Sequence, residues 1–371
     1  MKKIIILLKG NINYDSRVQK EIETFVAMNF NLTLVQYNWE PISYQHKNLE
    51  IIDVNLGNYW VPKPQKGFFN FLKVIKFWHI CSRIIRSNHY DYIHCNNLDT
   101  LGTLYFLPKK YYKNVIYDAH DLFPELFLIN SIRRIVWNYI ERQLIQKVNI
   151  IIVPERGRAE YLRKKYKLKN SPFVINNFPR YQTIAVKDIR RELDIAKDKK
   201  IICYQGLFFP NRNIEDIIYS LKFVQGNIIL ILFGYAFTDY EKQLKEFVIN
   251  NDLRNRVVFY GRIPAEQISA TIAQCDIGIA LYQNVGINQY LCAPNKVFDY
   301  LMAGLKIICN DYPPLRILKE YKFVRLLSEV SPSNIADSVK DLLGEKGKIP
   351  ENVKQIYSWG SFNDIFKKIY Q

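Results

Sequence analysis

The stretch Lys200-Ile201-Ile202-Cys203-Tyr204-Gln205-Gly206 decides the fold, because it restarts a pattern the chain has already run through once. Its apolar run closed by glycine reads as a strand buried on both faces of a parallel sheet. Ahead of it lie a charged segment, 187–200, and Asn177-Phe178-Pro179. Upstream, strand-like runs at 4–8, 32–37, 51–54, 92–95, 115–118, 150–153 and 173–175 alternate with helix-length segments, notably 17–28, 68–87, 132–148 and 156–166. Downstream, 201–205 is followed by runs at 228–233, 257–260, 277–281, 306–309 and 323–326. Such alternation predicts an α/β fold with two doubly wound, Rossmann-like lobes and a hinge near 177–186. The expected lobes are 1–180 and 181–354, with a closing helix within 355–371 that crosses back to the first lobe. Open sheets of this kind bind ligands outside the carboxyl ends of their strands, so a cleft between two facing lobes is the expected site.

The chain has 371 residues, of which 49% are hydrophobic and 23% charged, the mix of a folded soluble protein with room for two cores. Met1-Lys2-Lys3 before 4–8 resembles a signal peptide, but Lys9 ends the apolar run and no small-residue cleavage site follows. A buried first strand accounts for it. No apolar run approaches the roughly 18 residues of a membrane span. The six cysteines are scattered with no Cys-x-x-Cys pair, which points to reduced core residues and a cytoplasmic location. A net charge of +17 calls for an anionic partner: nucleic acid, acidic lipid or a phosphorylated substrate. No nucleic-acid-binding module or zinc pattern is recognisable, so nucleic acid is not expected.

The most informative motif is Ala293-Pro294-Asn295-Lys296-Val297-Phe298-Asp299-Tyr300-Leu301-Met302-Ala303-Gly304. Pro294 suits a helix start, and the free N–H groups there make an anion site fit for a diphosphate, with Lys296 adding charge. Asp299 lies one turn on, on the face of Asn295, where a carboxylate can accept both hydroxyls of a ribose. An amphipathic helix with a solvated Asp fits the same residue types. In the second motif Gly206 permits close backbone approach, and Arg212 of Phe209-Pro210-Asn211-Arg212-Asn213 can fork onto phosphate oxygens or stand solvated. The third, Tyr117-Asp118-Ala119-His120-Asp121-Leu122-Phe123-Pro124-Glu125, offers His120 to a sugar hydroxyl or a proton transfer, unless that histidine only caps the strand end. The first turn, Gly10 to Arg17, lacks Gly-x-Gly-x-x-Gly, against a dinucleotide cofactor. Asp15 or Ser16 reads there as an N-cap, and Arg17 is a candidate for a substrate phosphate. No Asp-x-Asp pair occurs, so no metal and no other cofactor is expected. Charge on a departing nucleotide would fall to helix N-termini, Arg212 and Lys296.

These blocks resemble the GT-B glycosyltransferases of the family 4 type over nearly the whole chain. Tyr14-Asp15-Ser16-Arg17-Val18, Asp91-Tyr92-Ile93-His94-Cys95 with Asp99, and the segment from Tyr117 to Glu125 are similar to the family's first lobe. Pro294 to Tyr300 with Ala303-Gly304 is the most specific block. The resemblance implies a retaining enzyme that moves a sugar from a nucleotide-diphosphate sugar to a glycan or lipid-linked acceptor, in polysaccharide or glycolipid synthesis. It implies Asp299 as the ribose carboxylate, Arg212 near the diphosphate clamp and His120 near the transferred sugar. Gly206, Pro294, Asn295 and Lys296 complete the expected nucleotide-sugar site. The family's donor-sugar glutamate falls at Leu291 here, and a common arginine after the glycine falls at Leu207. Asn288, Gln289 or Tyr290 are then expected to read the sugar, with Arg17 and Asp121 as further donor or acceptor contacts, and Lys296 to replace the missing arginine. A nucleotide-sugar 2-epimerase of the same fold and a catalytically silent sugar-binding subunit are the alternatives.

Residues 60–86 carry Lys63, Lys66, Lys73, Lys76, Arg83 and Arg86, with no acid from Val54 through Tyr90. Trp60, Phe68, Phe69, Phe71, Phe77 and Trp78 are interleaved, as in a helix lying in an anionic headgroup layer, and a peripheral location on the inner membrane face is expected. A helix with its aromatics in the core and its lysines solvated is the competing reading.

Overall fold

The computed structural model describes residues 1–37, 41–56, 67–182, 185–264 and 267–371, with backbone alone at 67–70. The chain forms two compact units, Met1–Asn176 with Phe362–Gln371, and Asn177–Ser361. Residues 355–361 thus belong to the second unit, and the first takes up the chain again only at Phe362.

The first unit holds β1 (Lys3–Leu8), β2 (Asn31–Tyr37), β3 (Leu49–Val54), β4 (Tyr92–Asn96), β5 (Asn114–Asp118), β6 (Ile150–Val153) and β7 (Phe173–Val174). They form one parallel sheet in the order β3-β2-β1-β4-β5-β6-β7. The order reverses between β1 and β4, which places a switch point at their carboxyl ends. Four longer helices cover the sheet: α1 (Ser16–Ala27), α2 (Gly67–Ser87), α3 (Ile132–Leu144) and α4 (Arg156–Tyr166). Asp15 caps α1 by accepting from the N–H groups of Arg17 and Val18, and Ser131 and Glu155 do the same for α3 and α4. The expected helix over 132–148 ends at Leu144 and tightens into a 3-10 turn. The C-terminal helix Asn363–Tyr370 packs by its aromatics: Phe366 and Tyr370 lie 5.8 and 4.7 Å from Phe25 of α1.

The second unit repeats the plan with β8 (Lys200–Gln205), β9 (Ile228–Phe233), β10 (Val257–Gly261), β11 (Ile277–Ala280), β12 (Lys306–Asn310) and β13 (Val324–Leu327), parallel in the order β10-β9-β8-β11-β12-β13. Its switch point lies between β8 and β11. Two of its helices are α5 (Asn295–Ala303), which feeds β12, and α6 (Pro332–Gly344), whose Ile335, Ala336, Val339 and Leu342 join the core. Every expected strand is present, with ends moved by one or two residues. All six cysteines are free thiols, five of them buried.

On α2 the aromatic residues do not share one outward face. Phe77 and Trp78 are buried, and the Trp78 indole N–H donates to the Asp99 carbonyl at 2.6 Å. A Cβ on Gly102 would come within 2.1 Å of the Trp78 ring, so the glycine is what lets the ring lie flat there. Phe71 meets Trp78 and Trp137 edge-on. Phe77 and Trp78 thus belong to the core, and Phe71 is half-buried against it. Trp60, Lys63 and Lys66 lie outside the described residues, as do the side chains of Phe68 and Phe69.

Candidate functional site

In the second unit the carboxyl ends of β8 and β11 build an electropositive corner. Gly206 follows β8 with φ +129, and a Cβ on it would sit 3.0 Å from the Lys296 ammonium. Gly234 follows β9, where a Cβ would strike the Gly206 carbonyl at 1.8 Å. Neither position accepts a side chain, so backbone and ammonium crowd together. The Lys296 Nζ lies 4.0 Å above the Tyr204 ring and 5.3 Å from that of Tyr282, while the Arg212 guanidinium stacks on Tyr282 at 4.1 Å. Among the described residues neither cation forms an ion pair. Burial, then the Arg212 charge, pushes the Lys296 pKa well down, and Asp299 opposes this.

Helix α5 begins against this corner. Pro294 is its cap rather than its first helical residue, and no side chain caps the start, so the first N–H groups remain open. Tyr300, next to Asp299 in the second turn, fixes the helix to the sheet: its hydroxyl accepts from the Gln205 N–H at 2.9 Å and donates to the Ile279 carbonyl at 3.2 Å. Asn295 is exposed, Lys296 buried and Asp299 half-buried. Asn288 is buried in a short helical turn, Ile287–Tyr290, with Gln289 and Tyr290 half-exposed beside it. Leu291 is buried. Arg262, which the sequence reading passed over, joins Gly206, Gly234 and Tyr235 around a hollow at the ends of β8, β9 and β10. It follows a strand just as Gly206 does, and that position was the available signal. Tyr204 and Tyr282 were missed because strand aromatics read as core.

In the first unit the switch point is filled by a closed polar cluster. Arg17, expected as a substrate contact, is buried instead. Its guanidinium donates to both oxygens of Asp118 at 2.8–2.9 Å and to the Ile175 carbonyl at 2.8 Å, and it lies 3.3 Å from Glu21. A fork matched to a carboxylate this closely has its charge neutralised inside the fold, so Arg17 does not face a ligand. His94 of β4 lies 2.5 Å by Nδ1 from the Tyr370 hydroxyl and 3.3 Å by Nε2 from Glu21. Burial pushes Glu21 up, Asp118 up to about 6 and His94 down to about 4.

His120 stands at the edge of this cluster with its side chain 16% exposed. Its Nε2 lies 3.0 Å from the Asn96 side-chain oxygen and 3.8 Å from Asp118, and its backbone N–H donates to Asn97 at 3.0 Å. Arg158 donates to its carbonyl. Burial lowers the His120 pKa and the Asp118 charge counters it. A neutral imidazole held by its outer partners can present its other nitrogen to a hydroxyl. Asp121 is more exposed and pairs with Arg158 at 3.3 Å. Glu21, His94 and Asp118 place one ligand atom each within 4.8 Å of one another, the spacing of a metal triad. The Arg17 guanidinium already holds Asp118 and flanks Glu21, so a cation fills that space and the triad does not fit a metal.

Comparison with known proteins agrees with this architecture. The Glycosyl transferases group 1 model matches residues 185–357, and the Glycosyltransferase Family 4 model matches residues 18–178. No curated protein matches the chain in sequence. Among solved structures, sucrose-phosphate synthase from Thermosynechococcus elongatus is similar with a TM-score of 0.80 at 15% identity, over 100% of this chain and 98% of that one. Anabaena HepE in complex with UDP-glucose gives 0.71 at 14% identity, over 99% of each. WaaG, a glycosyltransferase involved in lipopolysaccharide biosynthesis, gives 0.68 at 13% identity, over 97% of this chain and 95% of that one.

Proposed function

Because the chain belongs to the glycosyltransferases, with a family 4 domain followed by a group 1 domain, we propose that it moves a sugar from a nucleoside-diphosphate sugar to a glycan or lipid-linked acceptor, with retention and without metal, in cell-surface polysaccharide or glycolipid synthesis. The observation that carries the donor site is the pair of cations, Lys296 and Arg212, held by tyrosine rings at a switch point beside the uncapped start of α5. A diphosphate supplies the anion that this corner lacks. Complexes of HepE with UDP and with UDP-glucose support a nucleotide sugar of this class as donor.

In the proposed reaction the bond from the anomeric carbon to the diphosphate oxygen breaks as the acceptor oxygen bonds to that carbon from the same face. The acceptor proton passes to the departing phosphate oxygen. Lys296, Arg212 and the N–H groups of Asn295 and Lys296 hold the growing negative charge. Asp299 holds the ribose and Gly206 lets the diphosphate approach the backbone. His120, its Nε2–H held by the Asn96 oxygen, accepts through Nδ1 from a hydroxyl of the transferred sugar. Asn288, Gln289 and Tyr290 read the donor sugar in place of the carboxylate that Leu291 lacks, and Asp121 reaches donor or acceptor. Among the described residues no helix is long and apolar enough to cross a membrane. A cytoplasmic enzyme resting on the inner membrane face, with residues 60–86 contributing charge, completes the reading.

The test is release of nucleotide from a panel of nucleotide sugars, with and without a bacterial lipid extract. Release that requires the extract supports transfer. Interconversion of the donor sugar without any acceptor would show an epimerase, and binding without turnover a silent subunit.

A further inference from the structure

Helix α3 has two apolar faces, and only one of them is used. Trp137, Ile140 and Leu144 are buried, Trp137 against Phe71, Trp78 and Phe123, as a surface helix requires. On the opposite side Ile132, Ile135 and Tyr139 follow one another at helical spacing and are 79%, 60% and 63% exposed. The loop that leads into the helix adds Leu128 and Ile129, 84% and 77% exposed. Tyr105 borders the patch beside Tyr139 and lies under the Lys147 ammonium at 5.6 Å. Soluble proteins scatter single apolar residues over their surface; a contiguous group of this size marks a contact.

Charge defines the contact. From Leu122 to Pro154 the only carboxylates are Glu125 and Glu141, whose side chains are buried. Arg133, Arg142 and Lys147 are exposed over the same stretch, and Lys109, Lys110 and Lys113 follow Tyr105. The patch is therefore aliphatic at its tip and cationic at its rim. Two copies of the chain meeting there would bring these cations together, which disfavours self-association. Protein contacts concentrate their energy in aromatic and arginine anchors set into pockets, whereas Leu128, Ile129 and Ile132 form an open aliphatic crest. That combination suits hydrocarbon beneath a layer of anionic headgroups.

We propose that α3 and the loop before it are the element by which this protein enters an anionic bilayer, with Leu128, Ile129, Ile132 and Ile135 in the acyl boundary and Arg133, Arg142 and Lys147 at the headgroups. The proposal rests on the peripheral-membrane reading and moves its apolar contact from α2, where Phe77 and Trp78 are core residues, to α3. Helix α2 is left with Lys76, Arg83 and Arg86 as exposed charge and Leu72 as its exposed large apolar side chain among the described residues.

The experiment is co-sedimentation of the full chain with phosphatidylglycerol or phosphatidylcholine vesicles. Three variants accompany it: Ile129→Asp with Ile132→Asp, Arg133→Gln with Arg142→Gln, and Ile249→Asp as an exposed control in the other unit. Circular dichroism checks folding, and nucleotide-diphosphate affinity checks the donor site. The wild type and the control should sediment with phosphatidylglycerol only. The Ile129/Ile132 variant should lose on the order of a hundredfold in partitioning, because each buried aliphatic side chain is worth more than about tenfold. The arginine variant should lose about tenfold or more, at about 1 kcal/mol for each charge removed. Undiminished vesicle binding by the Ile129/Ile132 variant, with fold intact, overturns this assignment and leaves the peripheral-membrane reading standing. A wild type that ignores phosphatidylglycerol, or a wild-type dimer that this variant dissociates without any vesicle binding, overturns both. Vesicle binding by a chain with no nucleotide affinity supports the surface and sinks the donor site instead.

Discussion

Replacing Arg17 with methionine separates a residue that serves the fold from one that serves a substrate. Its guanidinium makes four hydrogen bonds of 2.8–2.9 Å, three to the Asp118 carboxylate and one to the Ile175 carbonyl. Asp118 and Glu21 are fully buried, so Arg17→Met leaves two carboxyl groups in the core without their cation. Breaking a buried pair from one side costs about 3–5 kcal/mol. For a unit of this size that is a fall on the order of 10 °C in Tm. The loss depends on pH. Asp118 has its folded pKa raised to about 6 from an ordinary 3.8, so its contribution is fully present below the unfolded value and is lost as pH rises through about 6. Without Arg17 both carboxyls shift further up and the window extends to higher pH. His94, held down at about 4, contributes stability that is lost as pH falls through that value, and removing the neighbouring guanidinium eases its protonation. Both effects make the variant's deficit larger near pH 8 than near pH 5. Thermal melts followed by circular dichroism at the two pH values measure this, with Arg17→Lys restoring part of the loss. A melting temperature within about 2 °C of wild type, or an equal deficit at both pH values, would refute the reasoning.

Asp299→Ala should weaken binding of nucleoside diphosphate and donor by roughly 1.5–3 kcal/mol, since it removes a charged acceptor from the ribose; calorimetry with unchanged affinity would rule the assignment out. His120→Ala should reduce turnover far more than nucleotide affinity, and wild-type transfer by the variant would sink that role. As pH rises into the range where Lys296, its pKa lowered by burial and Arg212, loses its proton, nucleoside diphosphate binding should be accompanied by proton uptake, because an anion beside the lysine opposes that downward push. Calorimetry in buffers of different ionisation enthalpy reads that uptake, affinity should fall as pH rises, and Lys296→Met should abolish both effects.

Parallel strands were legible because burial on both faces writes them as continuous apolar runs. Ile228–Phe233 is buried at every position. The donor corner was legible in part. Gly206, Arg212, Lys296 and Asp299 belong to two segments that each follow a strand, whereas the rings that hold the cations lie within or just past strands and look like core. The first unit's cluster was out of reach, because Tyr370 joins His94 across 276 positions of sequence. Arg17 was misread for the same reason: its partner Asp118 lies 101 positions away. On α3 the sequence shows apolar residues on both sides, and only packing tells which side is buried. Trp78 on α2 was read as outward because the glycine beneath it, Gly102, lies in a different element.

The two units treat buried cations in opposite ways, and the contrast separates structure from function. Arg17 has every donor direction met by a carboxylate or carbonyl of its own unit, so no further anion has a place there. Lys296 and Arg212 rest on aromatic rings without an ion-pair partner among the described residues, and both charges lie within 5.3 Å of the Tyr282 centroid. Two like charges that close cost on the order of 2 kcal/mol at an effective dielectric of about 20. Cation–π attraction offsets part of that cost without neutralising either charge. A fold under no other demand would place a carboxylate between them or an apolar side chain in the place of one. The corner keeps its excess charge at the carboxyl ends of the strands, beside a helix start with open N–H groups, where an incoming diphosphate meets all of these donors together. Its negative charge opposes the downward push that burial and Arg212 exert on the Lys296 pKa, so the donor holds the lysine in its charged form.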